Sequence, residues 1–148
     1  DISLVFDLPA LETLVLNDGE FELDFSRLAV NDRLKELQMN HVKLYKNVKV
    51  QTDGFITSLD YDPVILDENT GFLVNYPSLE RLSLKDNKLT GIGFAAQLAQ
   101  LISLDISGNY ITELRPLEHL EYLEKVVCPD NPIVNQDILH DSVEIITE

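Results

Sequence analysis

The chain has 148 residues, of which 45% are hydrophobic, and its 26 Asp and Glu residues outnumber its 11 Lys and Arg residues to give a net charge of −15. This charge argues against nucleic-acid binding and against anionic membrane surfaces, because a phosphate backbone selects clustered Lys and Arg. No run of about 20 apolar residues is present to cross a bilayer, and a single cysteine cannot form an internal disulfide.

A motif with apolar residues at fixed positions recurs along the chain. Leu101 to Ile111 reads L-x-x-L-x-L-x-x-N-x-L, with apolar residues at positions 1, 4, 6 and 11 and Asn109 at position 9. Copies of this pattern recur at a nearly constant interval and begin at Leu11, Leu34, Ile56, Leu79, Leu101 and Leu123. The pattern resembles the signature of leucine-rich repeats, and it predicts six full copies.

Each copy is predicted to begin with a short strand, because apolar and polar residues alternate over positions 3 to 7. The inward residues at position 4 are Leu14, Leu37, Leu59, Leu82, Leu104 and Val126. Stacked copies are expected to form one parallel sheet with a shared apolar column. Residues 1–10 are interpreted as a partial repeat, and a C-terminal edge strand is predicted at 142–146.

The remaining residues of each copy are expected to return along the outer, convex side. The predicted conformations are one helical turn at 22–31, irregular chain at 67–78, a helix at 91–100 and a 3₁₀-like return at 112–122. The helix at 91–100 is favoured by Phe94 and Leu98, which are four residues apart. Pro116 interrupts any longer helix in the last return.

Asparagine at position 9 has a predicted structural role. The chain turns sharply after each strand and leaves backbone N–H and C=O groups away from water, where an asparagine side chain can donate and accept hydrogen bonds. Three copies carry this residue: Asn87, Asn109 and Asn131. The first three copies carry Gly19, Val42 and Val64 instead, and so we expect an incomplete asparagine ladder and a less regular N-terminal half.

The candidate binding face is the concave sheet. Among the residues at positions 2, 3, 5, 7 and 8 of the six copies, ten are acidic, four are basic and none is aromatic. An acidic surface steers a basic patch of a protein partner, although acidic residues also simply keep repeat arrays soluble. The residues predicted to bind a protein ligand are Gln38, Asp60, Asp62, Arg81, Lys85 and Asp105.

The sequence predicts no catalytic, cofactor or metal site. Cys128 occupies an inward motif position and is interpreted as a small buried hydrophobe. The three histidines lie in different copies without the pairing of a triad or a zinc site: His41, His119 and His140. Asp60, Asp62 and Asp105 could approach one another across strands, but they lack the Asp-rich loop of a calcium site.

The C-terminal half resembles a known family. Leu101 to Ile133, with the connection I-T-E-L-R-P-L-E-H-L-E-Y-L, resembles the 22-residue leucine-rich repeats of bacterial internalin-like proteins and of related phosphatase-regulator repeats. The closing N-P-I-V-N-Q-D-I-L-H-D-S-V-E-I-I is similar to the end of such arrays in bacterial surface proteins. The resemblance implies an α/β leucine-rich-repeat solenoid with a curved parallel sheet on the concave side and short helices, 3₁₀ turns and irregular returns on the convex side.

Three functions remain open. The leading hypothesis is a non-enzymatic protein-binding scaffold in a bacterial cell-surface or secreted protein, which the resemblance favours. The alternatives are an intracellular adaptor or regulator that binds a cytosolic enzyme and the recognition arm of a larger multidomain enzyme. Because the chain begins in mid-repeat and without methionine, we expect residues 1–148 to be one domain of a longer protein. The sequence predicts neither the ligand nor the oligomeric state.

Overall fold

The computed structural model describes the backbone of residues 1–148 and every side chain except that of Ile56. The predicted inward role of the Ile56 side chain, at the first position of the third copy, therefore lies outside the described residues. The strands are β1 (Thr13–Val15), β2 (Glu20–Glu22), β3 (Glu36–Gln38), β4 (Lys43–Asp53), β5 (Ile56–Val64), β6 (Arg81–Ser83), β7 (Ser103–Asp105), β8 (Lys125–Val127) and β9 (Glu144–Ile146). The 3₁₀ helices are Ser3–Val5, Phe25–Arg27, Asp67–Asn75, Gly93–Gln97, Arg115–Leu117 and Gln136–Ile138.

Six of the strands form one parallel sheet in the order β1-β3-β6-β7-β8-β9. Their register places the residues at position 4 side by side, followed by the equivalent residue of β9: Leu14, Leu37, Leu82, Leu104, Val126 and Ile145. Five of these side chains are buried and Ile145 is partly buried. The regular recurrence of the motif thus produces the continuous apolar column of a leucine-rich-repeat solenoid. β9 falls within the segment for which the sequence predicts an edge strand.

The predicted repeat at Ile56 is not a coil of this solenoid. β5 pairs antiparallel with β4, and β4 also pairs in parallel with β2, so that the order of this second sheet is β2-β4-β5. Leu59 lies opposite Val50 and not in the apolar column. The prediction was wrong because β4 and β5 form an insertion in the second coil: Leu44 and Leu66 are both at position 11 of the motif and lie one repeat length apart.

The turn that follows each strand explains why residues 56–66 cannot form a coil. At position 8, each of the five true coils has a backbone φ between +50° and +65°: Asp18, His41, Asp86, Gly108 and Asp130. The equivalent residue of the predicted third copy is Pro63. The proline ring fixes φ at about −65°, and so this residue cannot adopt the left-handed turn that returns the chain to the convex side.

The convex returns contain short 3₁₀ helices and, over the described residues, no α-helix. Residues 91–100, the strongest helical candidate from sequence, hold a five-residue 3₁₀ helix at Gly93–Gln97. A 3₁₀ helix rises about 2.0 Å per residue, compared with about 1.5 Å for an α-helix. The more extended form suits a short return that must span the width of a coil. Over the part of the chain that the structure describes, no helix has the length and apolar character needed to span a bilayer.

Aromatic side chains fill the N-terminal half of the core. The Phe6 ring lies 5.6 Å from the Tyr76 ring and 6.2 Å from the Phe72 ring, and the Phe25 ring lies 4.8 Å from Phe72, all measured between centroids. These rings occupy the space beneath the convex returns of the first two coils. In the C-terminal half, Leu and Ile residues fill most of the same layer, together with Phe94 and Ala95.

Candidate functional site

Asparagine side chains connect the turns at which the concave strands end. Asn109 is 2% exposed, and its Oδ1 accepts hydrogen bonds from the backbone N–H groups of Asn87 (3.1 Å) and Leu89 (2.9 Å) in the preceding coil. Its Nδ2 donates to the carbonyls of Leu84 (3.0 Å) and Ile106 (2.8 Å). One side chain therefore satisfies backbone groups in two successive coils and fixes their spacing.

The same arrangement continues on both sides of Asn109. Asn131 accepts from the N–H of Ile111 at 2.9 Å and donates to the carbonyl of Ile106 at 2.9 Å. Asn87 accepts from the N–H of Val42 at 3.2 Å and donates to the carbonyl of Met39. Asparagine hydrogen bonds thus connect the second to fifth coils and hold this edge of the concave sheet in place.

The centre of the concave sheet carries a shallow groove. Four of the predicted binding residues line it: Gln38 on β3, Arg81 on β6, Lys85 after β6 and Asp105 on β7. Ser83 and Ser103 lie between them, and their small side chains leave the groove open. The sheet therefore brings two positive groups, two carboxylates and several polar groups together around a depression between larger side chains.

Hydrogen bonds hold the side chains at one end of the groove. Arg81 Nε lies 3.1 Å from Glu36 Oε2, and Gln38 Nε2 donates to Glu36 Oε1 at 2.9 Å. The hydrogen bond from Gln38 and then that from Arg81 lower the pKa of Glu36 below its usual value. Glu36 is thus a fixed negative charge that orients both neighbours.

Asn40 performs the same role on the other side of the groove. Its Oδ1 accepts from Ser83 Oγ at 2.7 Å and from the Lys85 backbone N–H at 2.9 Å. Glu36, Asn40, Ser83 and Ser103 line the groove but are not among the binding residues predicted from sequence. All four occupy positions 3, 5 or 7 of true coils, so the motif register alone would have found them.

Two of the predicted binding residues are not on the concave sheet. Asp60 and Asp62 lie on β5, opposite Lys49 and Lys46 of β4. Asp62 Oδ2 accepts from Asn47 Nδ2 at 2.8 Å, and Asp60 Oδ2 accepts from Gln51 Nε2 at 3.5 Å. Their assignment to the concave face depended on the predicted repeat at Ile56 and was wrong for the same reason. Asp60 and Asp62 therefore do not form a stack of carboxylates with Asp105, which lies on β7 in the other sheet.

The charge of the concave face is concentrated at its two rims. Without residues 56–66, the five coils have eight acidic and four basic residues at positions 2, 3, 5, 7 and 8. Positions 2 and 8, which flank each strand, hold six of the acids: Glu12, Asp18, Glu80, Asp86, Glu124 and Asp130. The strand positions between them hold Glu36 and Asp105 and the bases Arg81, Lys85 and Lys125. Two acidic rims thus enclose a floor that is nearly neutral.

The groups with catalytic potential do not converge. Cys128 is buried, and burial raises the pKa of its thiol, which keeps it protonated and unreactive. His41 is exposed, with Nδ1 3.2 Å from Asp18 Oδ1, and His140 contacts Ser142 two residues away. Among the described residues, no group of three or more His, Cys, Asp or Glu side chains is arranged to hold a metal ion.

A family model described as leucine-rich repeats in two copies matches residues 77–121. No curated protein sequence is similar to the chain beyond chance. Among solved structures, the chain is similar to internalin C2 of Listeria monocytogenes, with 20% identity and a TM-score of 0.65 over 98% of this chain. It is also similar to an internalin, InlF, of the same organism, with 22% identity and a TM-score of 0.63 over 99% of this chain.

A leucine-rich-repeat protein of Leptospira interrogans gives a TM-score of 0.66 at 22% identity over 97% of this chain. The chain spans 54% of the internalin C2 chain, 44% of the InlF chain and 33% of the Leptospira chain. At these identities the likeness concerns the fold, and it confirms the leucine-rich-repeat solenoid that the repeat motif predicts.

Proposed function

We propose that this chain, which is a leucine-rich-repeat protein with an internalin-like fold, is a non-enzymatic scaffold that binds a protein ligand on its concave sheet. The observation that carries this proposal is the central groove, in which Gln38, Arg81, Lys85 and Asp105 converge on a floor of serine side chains. Parallel strands and asparagine hydrogen bonds hold these groups before any ligand arrives, and so little conformational entropy is lost on binding.

The charge distribution suggests the chemistry of the ligand. A protein with basic residues on both sides of a polar centre would place them against the acidic rims while its centre contacts the floor of the groove. Exposed rim charges act mainly on the association rate, and their effect fades as salt screens them. The hydrogen-bonding groups of the floor would supply register and specificity.

We further propose a bacterial cell-surface or secreted location. The support is the likeness to Listeria internalins over 98% and 99% of the chain, together with the resemblance of residues 101–148 to the end of such arrays. Immunodetection in fractionated cells of the source organism tests this point. Signal confined to the cytosolic fraction would favour the adaptor alternative.

Filling the groove tests the binding proposal. Candidate ligands are captured with the wild-type chain, and the affinity of each purified ligand is then measured for Ser83→Arg and Ser103→Arg. These changes are expected to weaken binding by about tenfold or more, because a bulky side chain would occupy the floor. The matched control is Ser78→Arg, which makes the same change outside the groove. Equal affinity of all three variants and the wild type would exclude the central groove as the binding site.

A further inference from the structure

The hairpin of β4 and β5 has two chemically different faces. Residues opposite each other in an antiparallel ladder share a face. One face carries Lys46 opposite Asp62 and Lys49 opposite Asp60. The other carries an apolar set, which we call the apolar hairpin face: Tyr45, Val50, Leu59, Tyr61 and Pro63. The Tyr45 and Tyr61 rings are 4.3 Å apart, which places them together on this second face.

The apolar hairpin face lies open to solvent. Val50 is 66% exposed, Leu59 60% and Tyr61 45%, and Phe55 at the tip of the hairpin is fully exposed. Monomeric proteins rarely leave a contiguous apolar patch of this kind uncovered, and such patches mark protein contacts. The concave positions, by contrast, hold no aromatic residue.

The second strand of the hairpin, β5, is a long edge strand with an unpaired side. β5 is the edge of its sheet and is nine residues long, whereas the two edge strands of the solenoid, β1 and β9, have three residues each. Proteins usually protect long edges with Lys or Pro residues or by shortening the strand. β5 contains neither Lys nor Arg, and its one proline, Pro63, lies at its C-terminal end. Its two charged residues, Asp60 and Asp62, bond to Gln51 and Asn47 of β4 and so are directed away from the open edge. The rest of its backbone is therefore suited to pair with another strand.

The charge of the hairpin permits its edge to pair with a second copy of this chain. Residues 43–64 contain three Lys and three Asp and are neutral, so the whole net charge of −15 lies on the remaining residues. Two copies of the chain would repel each other through most of their surface. At the hairpin this repulsion is absent, and the contact surface is apolar.

We propose that the hairpin is a self-association surface on which two copies of this chain pair β5 with β5 about a twofold axis. A twofold interface uses the same patch on both copies. Centring the axis on Leu59 places Leu59 against its own equivalent, Tyr61 opposite Thr57 of the second copy and Asp60 opposite Ser58. This register avoids placing Asp60 or Asp62 against itself, and it joins the two apolar hairpin faces into one surface on a continuous six-stranded sheet.

The interface is small, because it consists of one strand edge per copy and of the side chains that flank it, chiefly Leu59 and Tyr61. Stable interfaces typically bury about 800 Å² on each partner, and a smaller one produces a weak, concentration-dependent dimer. The association does not involve the concave groove, so it is independent of the proposed ligand.

Sedimentation velocity and light scattering of the intact chain from about 10 μM to about 1 mM test the proposal. We expect the mass to rise from 16.8 kDa towards twice that value. Leu59→Asp places two carboxylates at the twofold axis, and Tyr61→Asp replaces an exposed side chain of the apolar hairpin face that lies on the edge strand next to the axis. Both are expected to weaken the dimer by about tenfold or more. The two side chains are exposed, and so neither change empties the core.

The matched control is Val134→Asp, which makes the same change at a residue that is 83% exposed and lies outside the hairpin. Circular dichroism verifies that all variants are folded. A dimer in the wild type and in Val134→Asp, with monomers in the two hairpin variants, would support the proposal. A wild type that stays monomeric at about 1 mM, a dimer that survives Leu59→Asp, or equal loss in the control would overturn it.

Discussion

The residue at position 8 of each coil determines whether the chain can turn from the concave strand to the convex return. Its φ is positive in all five coils, and Asp, His and Gly fill the position. Asp and His tolerate this conformation better than branched residues do, and Gly adopts it without strain. Pro63 cannot adopt it, which makes position 8 a more discriminating signal of a true coil than the apolar positions.

Replacing Gly108 by Ala tests this requirement. Gly108 has φ +65°, and a Cβ there would lie 1.9 Å from Asp86 Oδ1. We expect Gly108→Ala to lower the free energy of unfolding by about 1–3 kcal/mol, measured by urea denaturation. The control is Gly91→Ala, where an added Cβ meets no atom within 4 Å. A Gly108→Ala protein as stable as Gly91→Ala would contradict the argument.

Removing an asparagine of the ladder is expected to destabilise the fold. Asn109→Ala leaves the N–H groups of Asn87 and Leu89 and the carbonyl of Leu84 without their partner. The free energy of unfolding is expected to fall by about 1–3 kcal/mol, the cost of unsatisfied buried polar groups. Asn17→Ala removes hydrogen bonds with Gln38 and Asn40, but these bonds are exposed and water can replace them, so stability should change by no more than about 0.5 kcal/mol. Thermal unfolding compares the two, and coincident curves would show that the ladder does not stabilise the fold.

Removing the hydroxyl of Tyr76, by contrast, is expected to stabilise the fold. Its side chain is fully buried, and its hydroxyl has no hydrogen-bond partner among the described residues. Burial, and then the charge of Asp7, raise the pKa of Tyr76 above its ordinary value of 10.0. Tyr76→Phe removes the unsatisfied group and is expected to stabilise the protein by about 1 kcal/mol. A loss of stability would show that the hydroxyl has a partner.

The direction of the Tyr76 pKa shift also predicts a pH dependence. Below pH 10.0 the phenol is neutral in both the folded and the unfolded chain. Above that pH the unfolded state releases its proton more readily, and so stability falls as pH rises towards the higher pKa of the folded state. Urea unfolding at about pH 9 and about pH 11 should therefore show a smaller decrease for Tyr76→Phe than for the wild type. Equal decreases would contradict the raised pKa.

Among the elements, the coils were predictable from sequence and the hairpin was not. The true coils follow from apolar residues such as Leu82 and Leu104, because an inward residue must recur at each turn of the solenoid. The hairpin was not recognised because it is one repeat length long, and so the motifs on both sides of it stay in phase. In addition, Leu59 and Tyr61 alternate with polar residues as the inward residues of a coil strand do. Two local signals identify it: Asp53-Gly54 between alternating strands, which favours a hairpin turn, and Pro63 at position 8.

The residues of the candidate site were likewise predictable only where they belong to true coils. Gln38, Arg81, Lys85 and Asp105 belong to true coils, and the repeat register alone places them on adjacent strands. Asp60 and Asp62 were placed by the same register where it does not apply. The depth of the groove depends on the small size of Ser83 among its neighbours across strands, which a motif within one repeat does not reveal.

Deleting the hairpin tests whether it is an insertion in an otherwise regular coil. Removal of residues 45–66 brings Leu34 and Leu79 to the same spacing along the chain as Leu11 and Leu34. We expect a folded solenoid that unfolds in one cooperative transition. It should be less stable by about 2–4 kcal/mol, because the buried Leu66 is lost from the core. Loss of cooperative unfolding would show that β4 and β5 are integral to the coil.

On the scale of the whole molecule, the net charge of −15 and the neutral hairpin imply that salt acts differently on the two proposed surfaces. Like charges on the body of the chain repel each other in the folded state and between two copies. Salt screens both effects, since the Debye length falls from about 30 Å at 0.01 M to about 10 Å at 0.1 M. Attraction between the acidic rims and a basic ligand is screened as well, and so it should weaken over the same range.

The melting temperature and the dimer should therefore both respond positively to salt. If self-repulsion costs about 1 kcal/mol, raising NaCl from about 10 mM to about 100 mM should raise the melting temperature by about 2–4 °C and tighten the dimer. The variant lacking residues 45–66 loses two Lys and three Asp, so its net charge changes only from −15 to −14. It should show the same calorimetric shift without self-association at either salt concentration. A dimer that weakens with salt would mean that charge pairs, and not the apolar hairpin face, hold the two copies together.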